Sequence, residues 1–549
     1  MANSLMNTGV SGLNAAQNML NVISNNISNA HTPGYNRQQQ VLSQANGNQY
    51  SFGFIGNGVN VTSVNRVFDE FVVGQLRQSQ SQNGAAKTYY NGLSKVDNLL
   101  AENDSSISSQ INNLFSNLNK LSSNAGDATI KQVVINNLNS LVNQFNRTET
   151  DLKNQIANVN TDLSNNVDKV NNYIEQIADL NQKISRLEAL SAGQEPNSLL
   201  DQRDQLVNEL SELIGITVTE QNGQYNLSLA NGLTLVQGTS VNLLSVQPSK
   251  SDPSLNAVVY THNSGASQEL NGQNITSGVL NGLLTLRDGP LTNSLNQVGL
   301  IALNLAHRFN EVHTSGVDSD GNAGGKLFGF NNIPIDIANE KNRGNASVQT
   351  EFRNYTDVKA SDYKLEFDGS DWIITRLSDN KQITPTIQNG KLLFDGLSIE
   401  ISGSPVAGDS FIIKPVSDVA SSLKLLVNDT SKLATGIGDA ENGAGDNRNV
   451  AKLLAIQNEK LIDDGTLTLG KAYSSLVSYI GSETQTAKVS AETSKNILQE
   501  IDEQNQSISG VNLEEEYVSM QVYMQYYQAN AKIINTASII FDSILDLAR

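Results

Sequence analysis

The residues that could bind a metal ion do not form a complete site. The segment Asp318-Ser319-Asp320-Gly321-Asn322 copies the start of a calcium-binding loop. The twelfth position of such a loop requires a bidentate Glu, and that position, residue 329, is Gly. The pattern therefore favours a polar β-turn over an ion site.

Other side chains with catalytic or ligating chemistry are also isolated. The histidines are His31, His262, His307 and His313, and the last two are six residues apart, which does not place them on one helical face for zinc. The chain has no cysteine, which excludes disulfides and thiolate ligands. It contains no nucleophile elbow, phosphate-binding Gly-rich loop or metallopeptidase helix. We expect no enzyme activity, cofactor or metal.

The composition narrows the classes of partner. The 549 residues carry a formal net charge of −19, and the basic residues form no block. Binding of nucleic acid or of an anionic membrane surface requires clustered Lys and Arg, so neither is expected. No apolar run is long enough for membrane insertion, and the N-terminus lacks the charged and apolar regions of a secretory signal peptide. A cysteine-free chain also fits export in an unfolded state.

The N-terminal segment has the spacing of a coiled-coil seam. Apolar residues recur at every third or fourth position, which is typical of a helix that packs along one narrow stripe. The series reads Met6, Leu13, Ala16, Leu20, Ile23 and Ile27, with Gly9 as its one interruption. We predict that Leu13, Ala16, Leu20, Ile23 and Ile27 pack against another helix or subunit.

The C-terminal segment has a second seam of the same kind. Its members are Leu513, Tyr517, Met520, Met524, Tyr527, Ala531, Ile534, Ser538, Phe541, Leu545 and Ala548, and Ser538 alone is polar. All of these except Ser538 and Ala548 are predicted interface residues. Because neither seam can bury itself, the two ends are expected to pair, which indicates an assembly subunit more than an enzyme. Glu514, Glu515 and Glu516 are interpreted as opposing the dipole at the start of this helix, or else as contacting a neighbouring subunit.

Between the ends, helical and alternating patterns follow one another. An apolar ladder over 152–187 predicts a long helix in which Asn166 sets the register of the seam. Ser198 and Asp201 are spaced as a capping box for the next helix, which should end near Gly215. Asn222-Gly223 predicts a hairpin turn, and Phe52, Phe54, Val59, Val61 and Val64 predict an earlier hairpin.

These patterns predict an α+β multidomain fold. Its terminal helices pair as a coiled coil, a long helical bundle follows, and all-β outer domains are inserted. We divide the chain into N-terminal axial helix 1–50, helical rod 51–215, first β domain 216–275, helical link 276–315, outer β domain 316–416, returning helical rod 417–505 and C-terminal axial helix 506–549.

Four motifs resemble the bacterial flagellar axial family of rod, hook and hook-associated proteins. The N-terminal signature is SGLNAAQ at 11–17 with SNNISN at 24–29, and TPGYNRQ at 32–38 narrows it to the hook-associated branch. The closing signature is SGVNLEEE at 509–516 with YQANA at 527–531. The internal stretches NSLLDQRDQL at 197–206 and NEVHTSGVD at 310–318 point to the member that joins hook to filament, because the hook protein and hook-associated protein 3 lack them.

The resemblance implies a structural subunit at the junction between the hook and the filament. It also implies flagellar type III export, an extracellular location and self-assembly around the axis through the terminal helices. The implied partners are other copies of the chain, the hook protein, hook-associated protein 3 and a cytoplasmic export chaperone that binds the C-terminal helix. A secreted adhesin or effector with a helical stalk and β binding domains is the alternative interpretation.

Overall fold

The computed structural model describes residues 2–50, 53–101, 106–191, 194–331, 333–438 and 445–547. Phe52 and Ala548 lie outside this part of the chain, although the first belongs to a predicted hairpin and the second to the C-terminal seam. The α-helices of the described residues are α1 (Ala2–Ser28), α2 (Glu70–Leu100), α3 (Ile107–Ser123), α4 (Ala128–Leu190), α5 (Asn197–Leu213), α6 (Val279–Leu286), α7 (Thr292–Thr314), α8 (Val419–Ser422), α9 (Arg448–Ala455), α10 (Leu469–Ser509) and α11 (Leu513–Leu547).

The two chain ends lie together, as predicted, because α1 packs mainly against α11. After α1 the chain forms a long hairpin that folds back along α1. In it β1 (Gln38–Gln44) pairs with β4 (Val59–Arg66), and β2 (Asn48–Tyr50) pairs with β3 (Gly53–Ile55). The predicted strands exist, but the predicted hairpin is wrong because they do not pair with each other: β3 pairs with β2, and β4 pairs with the polar sequence QQQVLSQ of β1. Because backbone hydrogen bonds hold β1 in place, its side chains do not need to alternate between apolar and polar, and its sequence does not predict a strand.

The helical rod is built around α4, whose 63 residues extend about 95 Å at 1.5 Å per residue. Most of its seam is buried, but Ile156, Asn166 and Tyr173 are half-buried and Leu187 is exposed. The Nδ2 of Asn166 donates to the backbone carbonyl of Asp162 on the same helix (2.7 Å), and Val167 takes the buried position instead. The buried amide is Asn181, which donates to the carbonyls of the neighbouring β region. The prediction that Asn166 sets the register is therefore wrong.

Helix α5 begins at Asn197 after Pro196, without a side-chain cap. The predicted capping box is wrong because Asp201 has a tertiary partner: its Oδ1 accepts a hydrogen bond from Asn36 Nδ2 (2.7 Å). The helix ends at Leu213, close to the predicted stop at Gly215. On the other side of the rod, α2 and α10 run antiparallel, and the Tyr473 hydroxyl donates to the carbonyl of Leu100 (2.9 Å).

The first β region consists of two small antiparallel sheets against α4. One has the order β5-β6-β7-β8 and the other β11-β10-β9. Their strands are β5 (Ile216–Gln221), β6 (Gln224–Leu229), β7 (Thr234–Gln237), β8 (Ser240–Val241), β9 (Leu244–Pro248), β10 (Asn256–Thr261) and β11 (Ser267–Leu270). The predicted turn is confirmed, because Asn222 and Gly223 both have positive φ between paired strands (53° and 75°). A π-helical turn then joins α6 to α7.

The outer β region is made of a five-stranded sheet, β13-β21-β15-β16-β17, and a four-stranded sheet, β14-β20-β19-β18. Their strands are β13 (Ile335–Ala338), β14 (Ser347–Phe352), β15 (Tyr363–Phe367), β16 (Trp372–Arg376), β17 (Lys381–Ile383), β18 (Thr386–Gln388), β19 (Lys391–Phe394), β20 (Leu397–Ser402) and β21 (Ser410–Lys414). Strands β15 and β16 form an antiparallel hairpin. The segment before the outer β region belongs to the helical rod, where β12 (Phe328–Gly329) pairs with β22 (Lys424–Leu425).

This arrangement confirms the predicted fold class. Paired terminal helices, a helical rod and inserted β regions form one α+β chain, and the rod helices come from both halves of the sequence. No helix within the described ranges has the length and apolarity needed to cross a membrane.

Candidate assembly interface at the paired chain ends

Helices α1 and α11 lie antiparallel. Asn26, near the end of α1, contacts Glu516 at the start of α11, whereas Gly9 contacts Ile534 much further along. Helix α1 contains no Asp, Glu, Lys or Arg, so ion pairs between side chains of the two helices do not hold them together. Their association depends on close packing and on a few hydrogen bonds.

Small residues line the face of α1 that meets α11. Gly9 is buried, and a Cβ atom added there would lie 2.8 Å from Cγ1 of Ile534. A Cβ at Gly12 would clash with the side chain of Asn530, and Ala15 and Ala16 are fully buried. The prediction that Gly9 interrupts the seam is wrong. Gly9 belongs to the contact, because its missing side chain lets the helices approach.

The predicted α1 residues lie on both sides of this contact line. Ala16 and Ile23 are buried, whereas Leu13, Leu20 and Ile27 are half-buried. Leu5, Met6 and Val10 are exposed. Helix α11 of the same chain therefore covers only some of the apolar residues of α1.

The predicted α11 residues divide more sharply. Half-buried positions are Leu513, Met520, Ala531 and Ile534, and the exposed ones are Tyr517, Met524, Tyr527, Phe541 and Leu545. The buried positions on this helix are Glu516 and Ala537, neither of which the seam included. These two buried positions directly precede Tyr517 and Ser538, which are exposed members of the predicted seam.

Asn26 is the polar centre of the paired ends. Its Nδ2 donates to the carbonyl of Gln38 (3.0 Å) and to Oε2 of Glu516 (3.1 Å). Its Oδ1 accepts from the backbone N–H of Gln38 (3.0 Å) and from the hydroxyl of Tyr35 (2.8 Å). All four hydrogen-bonding positions of this buried amide are therefore used.

Tyr35 keeps its proton in this cluster. Burial and the nearby carboxylates of Asp201 and Glu516 raise the pKa of Tyr35 to about 12. The neutral hydroxyl donates to Asn26 and accepts from Nδ2 of Asn25 (3.2 Å). The TPGYNRQ and SNNISN motifs thus meet at one hydrogen-bonded centre, which the sequence analysis did not identify as a site.

The three glutamates at the start of α11 have different surroundings. Asn512 caps this end, because its Oδ1 accepts from the backbone N–H of Glu514 (3.0 Å). Glu515 pairs with Arg37 (3.4 Å) at an exposed position. Glu516 is buried and accepts the hydrogen bond from Asn26. Besides its position near the helix dipole, this acidic run joins the two chain ends.

The segment that resembles a calcium loop forms a turn, as the sequence analysis favoured. Oδ1 of Asp318 accepts the backbone N–H groups of Asp320 and Asn322 (both 2.9 Å), and Lys432 lies 3.0 Å from Asp320. Burial opposes ionisation, but the two N–H groups and Lys432 hold the pKa of Asp318 below its usual value. Among the described residues no three His, Asp or Glu side chains form a candidate metal site.

His313 is a structural residue of the rod. Its Nδ1 donates to the carbonyl of Gly325 (2.6 Å), and its Nε2 accepts from the backbone N–H of Ala434 (2.9 Å). Burial lowers the pKa of His313, so it is neutral at pH 7. His307 stacks on Tyr355 with ring centroids 3.7 Å apart. His313 therefore ties α7 to the segments at Gly325 and Ala434, and His307 contacts the outer β region through Tyr355.

Comparison with protein families gives four matches in chain order. The model of the "Flagellar hook-associated protein FlgK helical domain" matches residues 93–328, and that of the "Flagellar hook-associated protein 1, D2-like domain" matches 337–415. The two ends match "Flagella basal body rod protein" (6–36) and "Flagellar basal body rod FlgEFG protein C-terminal" (503–547). The paired ends are thus the part similar to basal body rod proteins.

Full-length relatives agree with these matches. Flagellar hook-associated protein 1 of Escherichia coli K12 is 41% identical over 546 residues, covering 99% of this chain and 100% of the relative. The protein of that name from Bacillus subtilis is 25% identical over 551 residues, with 98% and 97% covered. The flagellar hook junction protein FlgK of Burkholderia pseudomallei has a similar solved structure, with a TM-score of 0.74 and 25% identity, covering 79% of this chain and 100% of that one.

Proposed function

The chain belongs to the flagellar hook-associated protein 1 family, and from this premise we propose that the paired helices α1 and α11 join its copies around the flagellar axis. The protein is a structural subunit of the bacterial flagellum at the hook–filament junction. The full-length similarity gives no support to the alternative of a secreted adhesin or effector. The finer proposal concerns which surfaces make the junction.

The observation that supports it is the sorting of side chains by size in the paired ends. Gly9, Ala15 and Ala16 are buried on the contact face of α1, whereas many large apolar residues of α11 are exposed. Val518 is 63% exposed and Ile539 is 66% exposed, alongside the predicted interface residues Tyr517, Met524 and Phe541. Burial of one such side chain contributes about 1.5–3 kcal/mol. Neighbouring copies that cover this surface would provide the driving force for assembly.

The direction of assembly follows from the same sorting. The surface with the most exposed large apolar residues is the terminal pair, so this end of the molecule would face the axis. The outer β region, whose two sheets have their own buried residues, would then face away from it. The domain ranges given for the sequence remain our division of the subunit into axial, rod and outer parts.

The partners of the junction are proposed on the same basis. The subunit would contact the hook protein on one side and hook-associated protein 3 on the other. Before assembly a cytoplasmic chaperone would cover the exposed apolar end of α11, including Phe541 and Leu545, and so prevent aggregation. Export through the flagellar type III pathway would then deliver the chain to an extracellular location. The absence of cysteine is compatible with such passage.

Deletion of residues 515–549 tests the proposal. We expect cells with this deletion to form hooks without filaments and to release flagellin, which electron microscopy and analysis of the medium would show. Normal filaments on swimming cells would contradict it. A matched control deletes outer strands β16 and β17 with their turn. If the terminal pair carries the assembly, this control should retain more filament attachment than the terminal deletion.

A further inference from the structure

The strongest polar contact between the terminal region and the rod centres on two aspartates of α5. Asp201 and Asp204 are three residues apart, so both carboxylates lie on one face of the helix. Both residues are buried. Two buried carboxylates this close require cationic partners, and these come from two different parts of the chain.

The rod supplies the first set of partners. Arg77 of α2 places NH2 2.8 Å from Oδ1 of Asp204, and the hydroxyl of Tyr225 donates to the same oxygen (2.8 Å). The ring of Tyr225 is covered by the guanidinium of Arg203, 3.6 Å from its centroid. Residues of the rod and of the first β region therefore contact Asp204 independently of the terminal region.

The terminal region supplies the second set. NH1 of Arg66, the last residue of β4, lies 3.0 Å from Oδ1 of Asp201 and 2.7 Å from Oδ2 of Asp204. Asn36, in the loop after α1, donates to the same Oδ1 of Asp201 (2.7 Å). In contrast to Asp204, Asp201 has no cation from the rod in these contacts. Arg66 thus connects the two carboxylates and is the cation that contacts Asp201.

The contact lies where the chain crosses between the terminal pair and the rod. The backbone N–H of Val67 donates to the carbonyl of Arg37 (2.8 Å), and the N–H of Arg37 donates to the carbonyl of Ser509 (2.8 Å). Ser509 is the last residue of α10, a few residues before α11. Both connections to the terminal helices are therefore tied to the position of Arg66.

We propose that Arg66 is a positioning residue, which with Asn36 clasps the Asp201–Asp204 pair and fixes the terminal helices on the rod. The rod holds half of this contact in advance, so the terminal region docks on a prepared carboxylate pair. Loss of Arg66 leaves buried negative charge without its partner, which is strongly unfavourable in a low-dielectric site. Without Arg66 we expect the terminal segments to lose order while the rod remains ordered.

Hydrogen exchange of the purified full-length chain tests this clasp. We expect Arg66→Met to raise exchange at least tenfold in peptides covering 37–44, 59–67 and 505–516, with little change in α4. Arg66→Lys, which keeps the charge but cannot reproduce the guanidinium geometry, should restore part of the protection. Arg376 provides the matched control, because it also bridges two aspartates, Asp379 and Asp395, but lies in the outer region. Arg376→Met should affect the outer peptides alone.

Two results would overturn the clasp. Unchanged exchange in the terminal peptides of Arg66→Met would show that the contact does not position them. Equal loss of protection in α2, α4 and α5 would show that Arg66 stabilises the rod as a whole. Neither result bears on the junction role, which is judged separately by filament attachment in cells that lack residues 515–549.

Discussion

Nδ2 of Asn26 lies 3.1 Å from Oε2 of Glu516, so a hydrogen bond joins two buried residues that are 490 positions apart in the chain. No other polar side chain of α1 is buried within the described residues. This bond fixes the register of two helices that otherwise meet through close contacts such as Gly9 with Ile534 and Gly12 with Asn530. A change at either residue should therefore affect the terminal pair before the rod.

Asn26→Asp should loosen the terminal pair. The substitution places a second carboxylate beside Glu516 and removes both Nδ2 hydrogen bonds. Leaving buried polar groups unsatisfied costs about 1–3 kcal/mol, and more for charged groups. We expect faster hydrogen exchange in α1 and α11 and unchanged exchange in α4. Asn21→Asp is the control, because Asn21 is exposed on the same helix. Similar exchange in both variants would contradict this role of Asn26.

Gly9→Val should force α1 away from α11. Its Cβ would approach Ile534 more closely than real Cβ atoms do, and overpacking of this kind costs about 1–3 kcal/mol. Urea-dependent proteolysis of the termini measures the effect. Gly74→Ala in α2 is the control, because a Cβ there meets nothing within 4 Å. That change should stabilise α2 by about 1 kcal/mol through helix propensity. An equally stable terminal pair in Gly9→Val would refute close packing.

Polar substitution of the outer face should separate folding from assembly. Met524 and Phe541 are 46% and 47% exposed, so Met524→Gln with Phe541→Gln removes little burial within the chain. We expect the unfolding free energy to change by less than about 0.5 kcal/mol, as for typical surface positions. Hooks should nevertheless lose filament attachment, as seen by electron microscopy. A variant that folds normally and attaches filaments normally would rule out these residues as interface contacts.

Asp362 should make the stability of the outer region dependent on pH. Burial raises the pKa of Asp362 to about 6, although Lys414, Ser417 and Asn296 favour its ionised form. A carboxyl pKa above its unfolded value near 3.8 means that stability is fully present below that value. Stability is then lost as the pH rises through about 6. The carboxyl lies where the outer strands meet α7, since Ser417 bridges Asp362 and Asn296.

Asp362→Asn removes this ionisation. We expect the variant to melt above wild type at pH 8, and this difference in melting temperature to be smaller at pH 5. Calorimetry at both values measures the difference. Asp371→Asn, at the exposed turn before β16, is the control and should show no such crossover. A variant curve parallel to wild type across this range would exclude Asp362 as the titrating group.

Local patterns predicted those features whose cause is local. The positive φ of Asn222 and Gly223 follows from their residue types, and the alternation of Tyr363–Phe367 requires a strand buried on one face. The apolar spacing of both termini likewise predicted helices that need partners. These features depend on a few neighbouring residues, so they can be read along the chain.

Features that depend on distant residues escaped the sequence. The fully buried positions of α11, Glu516 and Ala537, lie one residue before members of the predicted seam, because the partner helix determines which edge of the apolar stripe is covered. Gly9 interrupts the apolar spacing of the sequence, but the absence of a side chain there leaves the space that Ile534 occupies. The spacing of Ser198 and Asp201 suggested a cap, but Arg66 and Asn36 engage Asp201 instead. Their partners are more than 130 positions away.

Because α1 and α11 are antiparallel and residue 9 contacts residue 534, the terminal pair can form only in a chain that has been synthesised almost to its end. A polypeptide that stops short of Glu516 offers Asn26 no acceptor and leaves the small-residue face of α1 without a surface to meet. Helix α1 therefore stays without its partner until α11, the last helix of the described residues, has been synthesised. Truncated chains that lack α11 could not pair their two ends, and they would therefore not be incorporated into the growing flagellum.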